Sequence, residues 1–506
     1  MYSCVNSASV YGIEAQIISV EADVSDGLPV FNMVGYLAAE VKEARDRVKT
    51  ALKNSNFTLR PKHITVNLSP ADIRKAGTAF DLPVAIACLA ASEMIPDEKL
   101  NNVLIVGELG LDGKVNAING VLPVCIAAKK AGIADVLVPE ENAMEGAVVE
   151  GIRVLGISHI LDAIEYFLGV RKIEPVVCDT SVLFDTQNLS LQDDFSDISG
   201  QGAAKRAAEI AVSGQHNILI SGPPGSGKTM IAKRLPGIMP DMTFEECLEI
   251  SRIYSVAGLL NRDRFLITRR PFRAPHHTAT TTSLIGGGRN AKPGELSLSQ
   301  SGVLFLDEMP EFSRESIEAL RQPLEDRVVT VSRLNATYTY PAGFMLAAAM
   351  NPCPCGYYPD RKKCNCSTNQ IKQYQRKISQ PILDRIDICV SVSEVDYNEL
   401  NLHEHRESSA DIRKRVMRTM QIQQNRYKDC DINFNSELTG KMVNEFCELG
   451  TEEKKLMENA YNRFALSARG YHRILKVART IADMDESENI GVRHLTEALC
   501  YRGFVN

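Results

Sequence analysis

The sequence has no apolar run long enough to cross a bilayer, and its first residues, MYSCVNSASV, do not form a signal-peptide pattern. It also has no excess of positive charge, because 57 lysine and arginine residues stand against 63 aspartate and glutamate residues, a net charge of −6. We therefore expect no membrane span, and any nucleic-acid site must be a local basic surface. The 44% hydrophobic and 24% charged content is typical of a soluble globular protein.

Paired cysteines of the kind that form disulfides are not evident either. The chain has 13 cysteines, an odd number, and most lie singly in apolar segments, as Cys88, Cys125, Cys389 and Cys500 do. This distribution favours free buried thiols in a reducing compartment. The sequence therefore predicts a cytoplasmic protein.

The length of 506 residues indicates about three domains. Residues 1–170 alternate strand-like and helix-like runs, which predicts an α/β or α+β domain. Residues 171–195 are polar and acidic, as in a linker. Residues 196–395 carry the nucleotide motifs described next, and 396–506 have the periodicity of a helical domain.

A glycine-rich turn lies between an apolar run and a helix-forming run in ILISGPPGSGKTMIAK, residues 218–233. It fits the P-loop pattern G-x-x-x-x-G-K-[ST], in which backbone N–H groups meet phosphates at a helix N-terminus. In that pattern Lys228 reaches the β- and γ-phosphates and the Thr229 hydroxyl ligates Mg²⁺, whereas the alternative is an ordinary glycine turn. The predicted nucleotide-binding residues here are Gly222, Pro223, Pro224, Gly225, Ser226, Gly227, Lys228 and Thr229.

Two further apolar strands end in polar residues. GVLFLDE ends in Asp307 and Glu308, which predicts an acid that holds Mg²⁺ with the nucleotide and a second acid that polarises the attacking water. GFMLAAAMNP ends in Asn351, which could orient that water at the carboxyl edge of a parallel sheet. A turn-forming Asn before Pro352 is the alternative. Together these motifs predict an ATPase with ATP and Mg²⁺ as cofactors.

The combined motifs resemble those of the AAA+ ATPases, with Walker A at 222–229, Walker B at 303–308 and sensor 1 at Asn351. The resemblance implies an α/β fold in which a P-loop parallel sheet carries a helical lid. The preceding segment, DISGQGAAKRAAEIAVSGQHN, is similar to the one that packs on adenine in such proteins, with residues 197–201 as its contacts.

The same resemblance assigns roles to two arginines. Arg385 in SQPILDRIDI is similar to the arginine finger that one subunit inserts into its neighbour's site. Arg469 in LSARGYHRILKVAR matches the sensor 2 arginine of the lid, with Arg473 as the competing choice. Surface salt bridges are the alternative for each. Because a finger supplied by a neighbour requires a ring, a homo-hexamer is implied.

The long interval between the Walker motifs contains PFRAPHHT and GGG…KPGE, which resemble the magnesium-chelatase branch of AAA+ proteins. That branch implies an insertion in helix 2 and a hairpin before sensor 1. A glycine-rich loop with Arg289 and Lys292 could grip a phosphate backbone, although a solvated loop has the same composition. Arg333 in the hairpin is a second DNA candidate. His276 and His277 could be metal ligands, but we expect a structural or hydrogen-bonding role for them.

Four cysteines form two C-x-C pairs, Cys353 with Cys355 and Cys364 with Cys366. Such pairs around a Gly/Pro/Lys-rich turn can place four thiolates around one tetrahedral Zn²⁺, although C-x-C is tighter than the usual C-x₂-C spacing. The alternatives are reduced loop thiols or a disulfide. A site with four protein ligands predicts a structural zinc.

The N-terminal region resembles the protease domain of Lon in ITVNLSPADIRKAGTAFDLPVAIACL and the segment VGELGLDGKVNAINGVLPVCIAAKKAGIADVLVPEEN. Lon uses a Ser–Lys pair for peptide hydrolysis. The resemblance puts Ala79 at the serine and Leu122 at the lysine, and Thr78 beside them lacks a partner in that alignment. We expect this domain to bind, assemble or regulate rather than to cleave peptides.

Taken over nearly its whole length, the chain resembles the ComM/YifB family of magnesium-chelatase-like AAA+ ATPases. That resemblance implies a hexameric ATP-driven DNA motor of the helicase or branch-migration type, acting in recombination or the integration of transforming DNA. One alternative is a chelatase-type motor subunit that acts on a protein partner in metal insertion, against which the Lon-like domain and the cysteines argue. Another, ATP-dependent proteolysis, would need the missing Ser–Lys pair.

Overall fold

The computed structural model of the protein describes residues 1–179, 194–288, 291–333, 336–394, 407–464 and 466–502, with only the backbone of Arg333 and Ala336. The chain forms two compact units. The N-terminal unit consists of Met1–Gln187 and Thr243–Thr268, and the second unit consists of Asn188–Met242 and Arg269–Asn506. Within the described ranges, no helix has the length and apolar character needed to cross a membrane.

The N-terminal unit is built around a seven-stranded sheet. The strands of the unit are β1 Tyr2–Tyr11, β2 Glu14–Ser25, β3 Val30–Val34, β4 His63–Ser69, β5 Val103–Ile105, β6 Glu108–Leu109, β7 Val115–Asn116, β8 Asp135–Pro139 and β9 Arg153–Ile157. Strands β6 and β7 pair with each other outside the seven-stranded sheet. Its first helices are α1 Ala39–Lys42, α2 Ala44–Asn54, α3 Asp81–Ala91, α4 Val121–Lys130, α5 Ala143–Ala147 and α6 Ile160–Leu168. The sheet order is β3-β4-β2-β1-β5-β8-β9. Helix α3 is buried along its whole length, as an Ala-rich helix without a polar face must be.

The second unit begins with alternating helices and strands. In chain order the elements of the second unit are α7 Gly202–Gly214, β10 Ile218–Ser221, α8 Lys228–Ile238, β11 Phe272–Arg273, α10 Thr281–Ile285, β12 Gly286–Gly287, β13 Lys292–Pro293, α11 Glu295–Leu298, β14 Val303–Leu306, α12 Arg314–Glu318, α13 Pro323–Asp326, β15 Val328–Arg333, β16 Ala336–Pro341, β17 Met345–Met350, α14 Thr368–Gln375, α15 Gln380–Leu383 and β18 Ile388–Ser391. Helix α9, Phe244–Ala257, follows α8 in sequence but belongs to the N-terminal unit. The C-terminal helices are α16 Ser409–Arg426, α17 Gly440–Phe446, α18 Thr451–Arg463, α19 Ala468–Met484 and α20 Val492–Cys500. Short 3₁₀ turns occupy Leu100–Asn102, Glu140–Asn142, Phe195–Asp197, Met309–Glu311 and Asn435–Glu437.

A five-stranded parallel sheet forms the centre of the second unit, in the order β11-β14-β17-β10-β18. Strands β10, β14 and β17 are buried at every residue, which explains why their sequences are continuous apolar runs rather than alternating ones. The carboxyl ends of parallel strands meet at one edge, where ligands bind in open α/β sheets. The predicted α/β class, with a parallel sheet and a helical C-terminal region, is confirmed.

Helix α9 follows the P-loop helix in sequence but packs within the N-terminal unit. Thr243 caps the helix through a reciprocal pair of hydrogen bonds with Glu246. On its buried face, the Ser255 hydroxyl donates to the Glu145 carboxylate, and burial raises the pKa of that carboxyl group. Polar contacts in an otherwise apolar interface therefore fix the position of α9 on the N-terminal sheet domain.

Candidate nucleotide-binding site

The P-loop contains glycines for two different reasons. Gly225 and Gly227 have φ angles of 75° and 86°, in the left-handed region that disfavours side chains, and Gly227 immediately precedes α8. Gly222 is needed for space, since a Cβ there would lie 2.4 Å from Val392 Cγ2. The loop therefore turns sharply from β10 into a helix N-terminus, as phosphate binding requires.

Lys228 lies inside this loop and is 9% exposed. Its Nζ donates to the carbonyl oxygens of Gly222 at 2.7 Å and Pro223 at 2.8 Å, and to Asn351 Oδ1 at 3.2 Å. Burial lowers the pKa of Lys228, and the carboxylates that follow β14 oppose that shift. The structure thus brings the P-loop lysine and the predicted sensor 1 amide into direct contact.

The Walker B acids lie beside the end of the P-loop. Thr229 Oγ1 donates to Asp307 Oδ2 at 2.8 Å, and the Glu308 backbone N–H donates to Asp307 Oδ1 at 2.9 Å. A hydroxyl and a carboxylate oxygen at this distance are the donors that Mg²⁺ prefers, so these residues fit the ion. The Glu308 side chain is 55% exposed, so a ligand can reach it.

His277 lies beside Glu308, a proximity that the sequence did not predict. Its Nδ1 lies 3.8 Å from Glu308 Oε2, and its ring lies 4.1 Å from the ring of His276. His276 instead forms a hydrogen bond with the Thr278 hydroxyl at 2.9 Å. The PFRAPHHT string does not distinguish the two histidines, because the contact of His277 is with Glu308 in the turn after β14, a distant part of the sequence.

The remaining P-loop and flanking residues are held by loop contacts. Ser226 Oγ donates to the Pro223 carbonyl at 2.8 Å. From the predicted adenine-packing segment, Gln201 Nε2 lies 3.5 Å from the Ser226 carbonyl oxygen, whereas Asp197 pairs with Arg234 of α8 at 2.9 Å. The segment 197–201 is therefore anchored both to the P-loop and to the helix that follows it.

The four cysteines of residues 353–366 lie together, with all Sγ atoms within 4.8 Å of one another. The Sγ of Cys353 is 3.3 Å from that of Cys355 and 3.8 Å from that of Cys364. Tetrahedral zinc with Zn–S bonds of about 2.3 Å separates its sulfurs by about 3.8 Å, so the donor set, completed by Cys366, fits Zn²⁺. A backbone hydrogen bond at Tyr357 is the main cause that lowers the pKa of Cys355 to about 6, whereas burial raises the pKa of Cys364.

We call residues 353–366 the cysteine knuckle. It contacts the P-loop directly, since a Cβ on Gly356 would lie 2.6 Å from Pro224 Cδ. Gln375 of α14 also donates to the Pro352 carbonyl at 3.3 Å. No sequence pattern predicted the contact, because the two loops are more than a hundred residues apart.

The predicted arginine finger lies at the opposite edge of the sheet. Strands β10 and β18 are parallel, with Ile218 opposite Ile388 and Ser221 opposite Ser391. The P-loop follows Ser221, whereas Arg385 precedes β18, six residues before Ser391. At about 3.3 Å per residue, this puts Arg385 on the order of 20 Å from the P-loop of its own subunit.

Arg385 and Arg469 meet at that amino edge. Arg385 is almost fully buried, with Nη2 2.5 Å from Glu325 Oε1, and the exposed Arg469 has its Nη2 4.0 Å from the same oxygen. Both line a cavity of about 590 Å³. Arg473 is buried and bonds to the Leu383 and Ile386 carbonyls, so it anchors the turn that carries Arg385. Of the two sensor 2 candidates, Arg469 has the freer side chain.

The DNA candidates are only partly described. Arg289 lies outside the described residues, and the side chain of Arg333 does as well. Lys292 is exposed at the start of β13, which pairs with β12. Among these three candidates, Lys292 is the one whose side chain the described residues include.

The Lon-like segment of the N-terminal unit has different chemistry from a Ser–Lys pair. Leu122 is fully buried and its backbone N–H donates to Glu145 at 2.9 Å, while Ala79 is half-buried. Thr78 does have a partner, because its hydroxyl donates to the Glu108 carboxylate. The partner of Thr78 is therefore a carboxylate and not the lysine that the Lon resemblance requires.

Comparisons with known proteins cover nearly the whole chain. Three family models match: "Magnesium chelatase, subunit ChlI" at residues 194–400, "Subunit ChlI of Mg-chelatase" at 20–142, and "Magnesium chelatase, subunit ChlI C-terminal" at 406–502. The chain is 42% identical over 506 residues to Competence protein ComM of Haemophilus influenzae, which covers 99% of this chain and 97% of that protein.

YifB of Escherichia coli is 40% identical over 501 residues, covering 99% of this chain and 97% of the relative. A Lon protease of Syntrophomonas wolfei is 27% identical over 172 residues, which are 31% of this chain and 21% of that protease. Since the full-length relatives exceed 30% identity over nearly every residue, the chain belongs to the ComM/YifB family of magnesium-chelatase-like AAA+ proteins.

Proposed function

We propose that the protein is a hexameric ATP-hydrolysing DNA motor of the helicase or branch-migration type. The observation that carries the proposal is the division of ATPase residues between two edges of one sheet. Lys228, Thr229 and Asp307 lie at the carboxyl edge, whereas Arg385 and Arg469 lie at the amino edge. A complete site then requires two subunits, and equivalent contacts around a closed ring give each subunit one site.

Membership of the AAA+ family indicates ATPase activity and implies ATP and Mg²⁺ as cofactors. In the proposed site, Thr229 and Asp307 hold Mg²⁺, which neutralises phosphate charge when bound. Lys228 exchanges the loop carbonyls that it now contacts for the β- and γ-phosphates. Glu308 polarises the attacking water, and Asn351, already hydrogen-bonded to Lys228, orients it.

The neighbouring subunit completes this site. Its Arg385 stabilises the negative charge that develops on the transferred phosphoryl group. Arg469 faces the same cavity and is largely exposed, so it is suited to contact the same phosphates. This assignment makes both arginines act between subunits rather than on the P-loop of their own chain.

DNA as the partner is supported by local charge and by one relative. The chain is acidic overall, yet Arg289, Lys292 and Arg333 fall in a glycine-rich loop and a hairpin that a ring could direct to one face. The relative from H. influenzae is named a competence protein, which favours a role in the integration of transforming DNA. We also propose that the cysteine knuckle holds one structural Zn²⁺ and that the protein acts in the cytoplasm.

The direct test is the ATPase rate with and without single-stranded or branched DNA, measured at low salt. We expect stimulation, and absence of both stimulation and DNA binding would refute the DNA part of the proposal. The family models named for magnesium chelatase make a chelatase-type motor acting on a protein partner the alternative. That motor would hydrolyse ATP with no response to DNA.

The shared site has a separate test by complementation. Lys228→Ala removes the nucleotide-binding lysine, and Arg385→Ala removes the finger, so each variant alone should be inactive. In mixed rings, a Lys228→Ala subunit can supply its Arg385 to the intact P-loop of a neighbouring Arg385→Ala subunit. Mixing should therefore restore part of the activity, and no recovery in verified mixed rings would refute a site shared between subunits.

A further inference from the structure

Glu325 joins the two arginines of the amino edge through a single oxygen atom. It lies on α13, and its Oε1 is 2.5 Å from Arg385 Nη2 and 4.0 Å from Arg469 Nη2. The arginines come from different segments, one just before β18 and one at the start of α19. The carboxylate of Glu325 therefore pairs closely with Arg385 and lies within ion-pair distance of Arg469.

The pairing restrains Arg385 more than a surface ion pair would. The Arg385 side chain is only 6% exposed, and its Nε is buried without a hydrogen-bond partner among the described residues. The hydrogen bond from Arg385 is the main cause that lowers the pKa of Glu325, so the carboxylate is ionised at neutral pH. An arginine neutralised in this way has less charge to offer a neighbour's phosphates until the carboxylate is displaced.

Glu325 is also tied to the hairpin β15–β16 that carries Arg333. Arg327, two residues later, begins the hairpin: its carbonyl accepts from the Ala342 N–H at 2.8 Å and so closes the hairpin base. The Arg327 guanidinium bonds to Glu437 in the C-terminal part of the same unit. A displacement of the hairpin therefore acts on α13, and through it on Glu325.

We infer that Glu325 is a positioning residue that restrains Arg385 and Arg469 in the resting subunit and releases them when the hairpin is displaced. The inference deepens the proposed function, on which it rests, because the displacing partner is the phosphate backbone of DNA bound at the hairpin. DNA bound to the subunit that supplies Arg385 then controls ATP hydrolysis in the neighbouring subunit.

The test is Glu325→Gln, which keeps the shape of the side chain and removes its charge. The variant loses the charge-assisted hydrogen bond that holds Arg385, so Arg385 is available to the neighbouring site more of the time. We therefore expect the ATPase rate without DNA to rise by roughly three- to tenfold. The ratio of rates with and without DNA should fall toward one. Because the arginine acts on the transition state, kcat should change while the KM for ATP stays close to that of the wild type.

Asp326→Asn is the matched control, since Asp326 is the adjacent exposed acid and forms no ion pair with any described residue. It makes the same change in charge and should leave both rates unchanged. Glu325→Asp keeps the charge on a shorter side chain and should give a smaller rise than Glu325→Gln. Hexamer assembly and thermal unfolding of each variant verify that the fold is intact.

A folded Glu325→Gln variant whose DNA-free rate is unchanged or lower would overturn the inference, as would an equal rise in Asp326→Asn. If Glu325→Gln cannot be obtained folded, an unchanged or reduced DNA-free rate in Glu325→Asp would overturn it. A wild-type protein without any DNA response would refute the DNA motor and the DNA-driven release. The DNA-free rate of the Gln variant would still decide whether Glu325 restrains the arginines.

Discussion

The contact between the cysteine knuckle and the P-loop can be tested with one methyl group. Gly356 has a φ of 87°, and a Cβ there would lie 2.6 Å from Cδ and 2.9 Å from Cγ of Pro224. Gly356→Ala therefore drives an atom into the loop that binds the phosphates. We expect the variant to bind ATP more weakly because Pro224 must move.

Two energies contribute to the effect of Gly356→Ala. Alanine in the left-handed region costs about 1–2 kcal/mol, which lowers the stability of the knuckle itself. The clash is separate: carbon atoms pack at about 3.5–4.0 Å, so the methyl overlaps the proline ring by about 1 Å, and overpacking of this kind costs about 1–3 kcal/mol. If the P-loop bears that cost, the Kd for ATP rises by about 5- to 150-fold.

The matched control is Gly132→Ala in the N-terminal unit. Gly132 has a φ of 75°, but a Cβ there would meet no atom within 4 Å. It thus carries the same backbone strain without a clash and should lower the melting temperature without changing the Kd. Titration with a fluorescent ATP analogue measures both variants. A Kd for Gly356→Ala within twofold of the wild type, or an equal weakening in Gly132→Ala, would refute the reasoning.

Three further predictions concern catalysis, metal and stability. Glu308→Gln should retain ATP binding and lose hydrolysis, because only the group that polarises water is removed; a wild-type ATPase rate would contradict that role. Metal analysis of the purified protein should find about one zinc per chain, and the Cys353→Ser/Cys364→Ser variant should have none. Ser255→Ala should lower the free energy of unfolding by about 1–3 kcal/mol, because a buried carboxylate loses a donor. Ser7→Ala is its control in denaturant unfolding, since the buried Ser7 hydroxyl has no partner among the described residues and its loss should cost little.

The sequence was sufficient where the physical constraint is local. Continuous apolar runs predicted the buried parallel strands, because a strand covered on both faces has no polar side. Asp307 and Asn351, the polar residues that end those runs, were predicted at one edge because the carboxyl ends of parallel strands lie together. These positions could be predicted because the end of an apolar run is visible in the sequence itself.

Contacts between distant segments were not accessible in this way. The pairing of Glu325 with Arg385 spans sixty residues, and that of His277 with Glu308 joins the loops that follow β11 and β14. Neither pair leaves a periodic pattern, because an ion pair between distant segments requires no particular spacing along the chain. The location of α9 in the N-terminal unit was missed for a related reason: its apolar face shows that it is buried but not against which surface.

Strand β10 connects the two edges of the sheet directly. Asn217 immediately precedes this strand and ties the amino edge together: its side chain donates to the Arg385 carbonyl at 2.8 Å and accepts from the Leu346 N–H at 2.9 Å. Four fully buried residues later, the strand delivers Ser221 into the P-loop. A strand this short, hydrogen-bonded on both sides and packed on both faces, moves as one piece. In the proposed ring, a shift of the P-loop on nucleotide exchange would therefore reach the carbonyl of Arg385, which would pass the state of one site to the next.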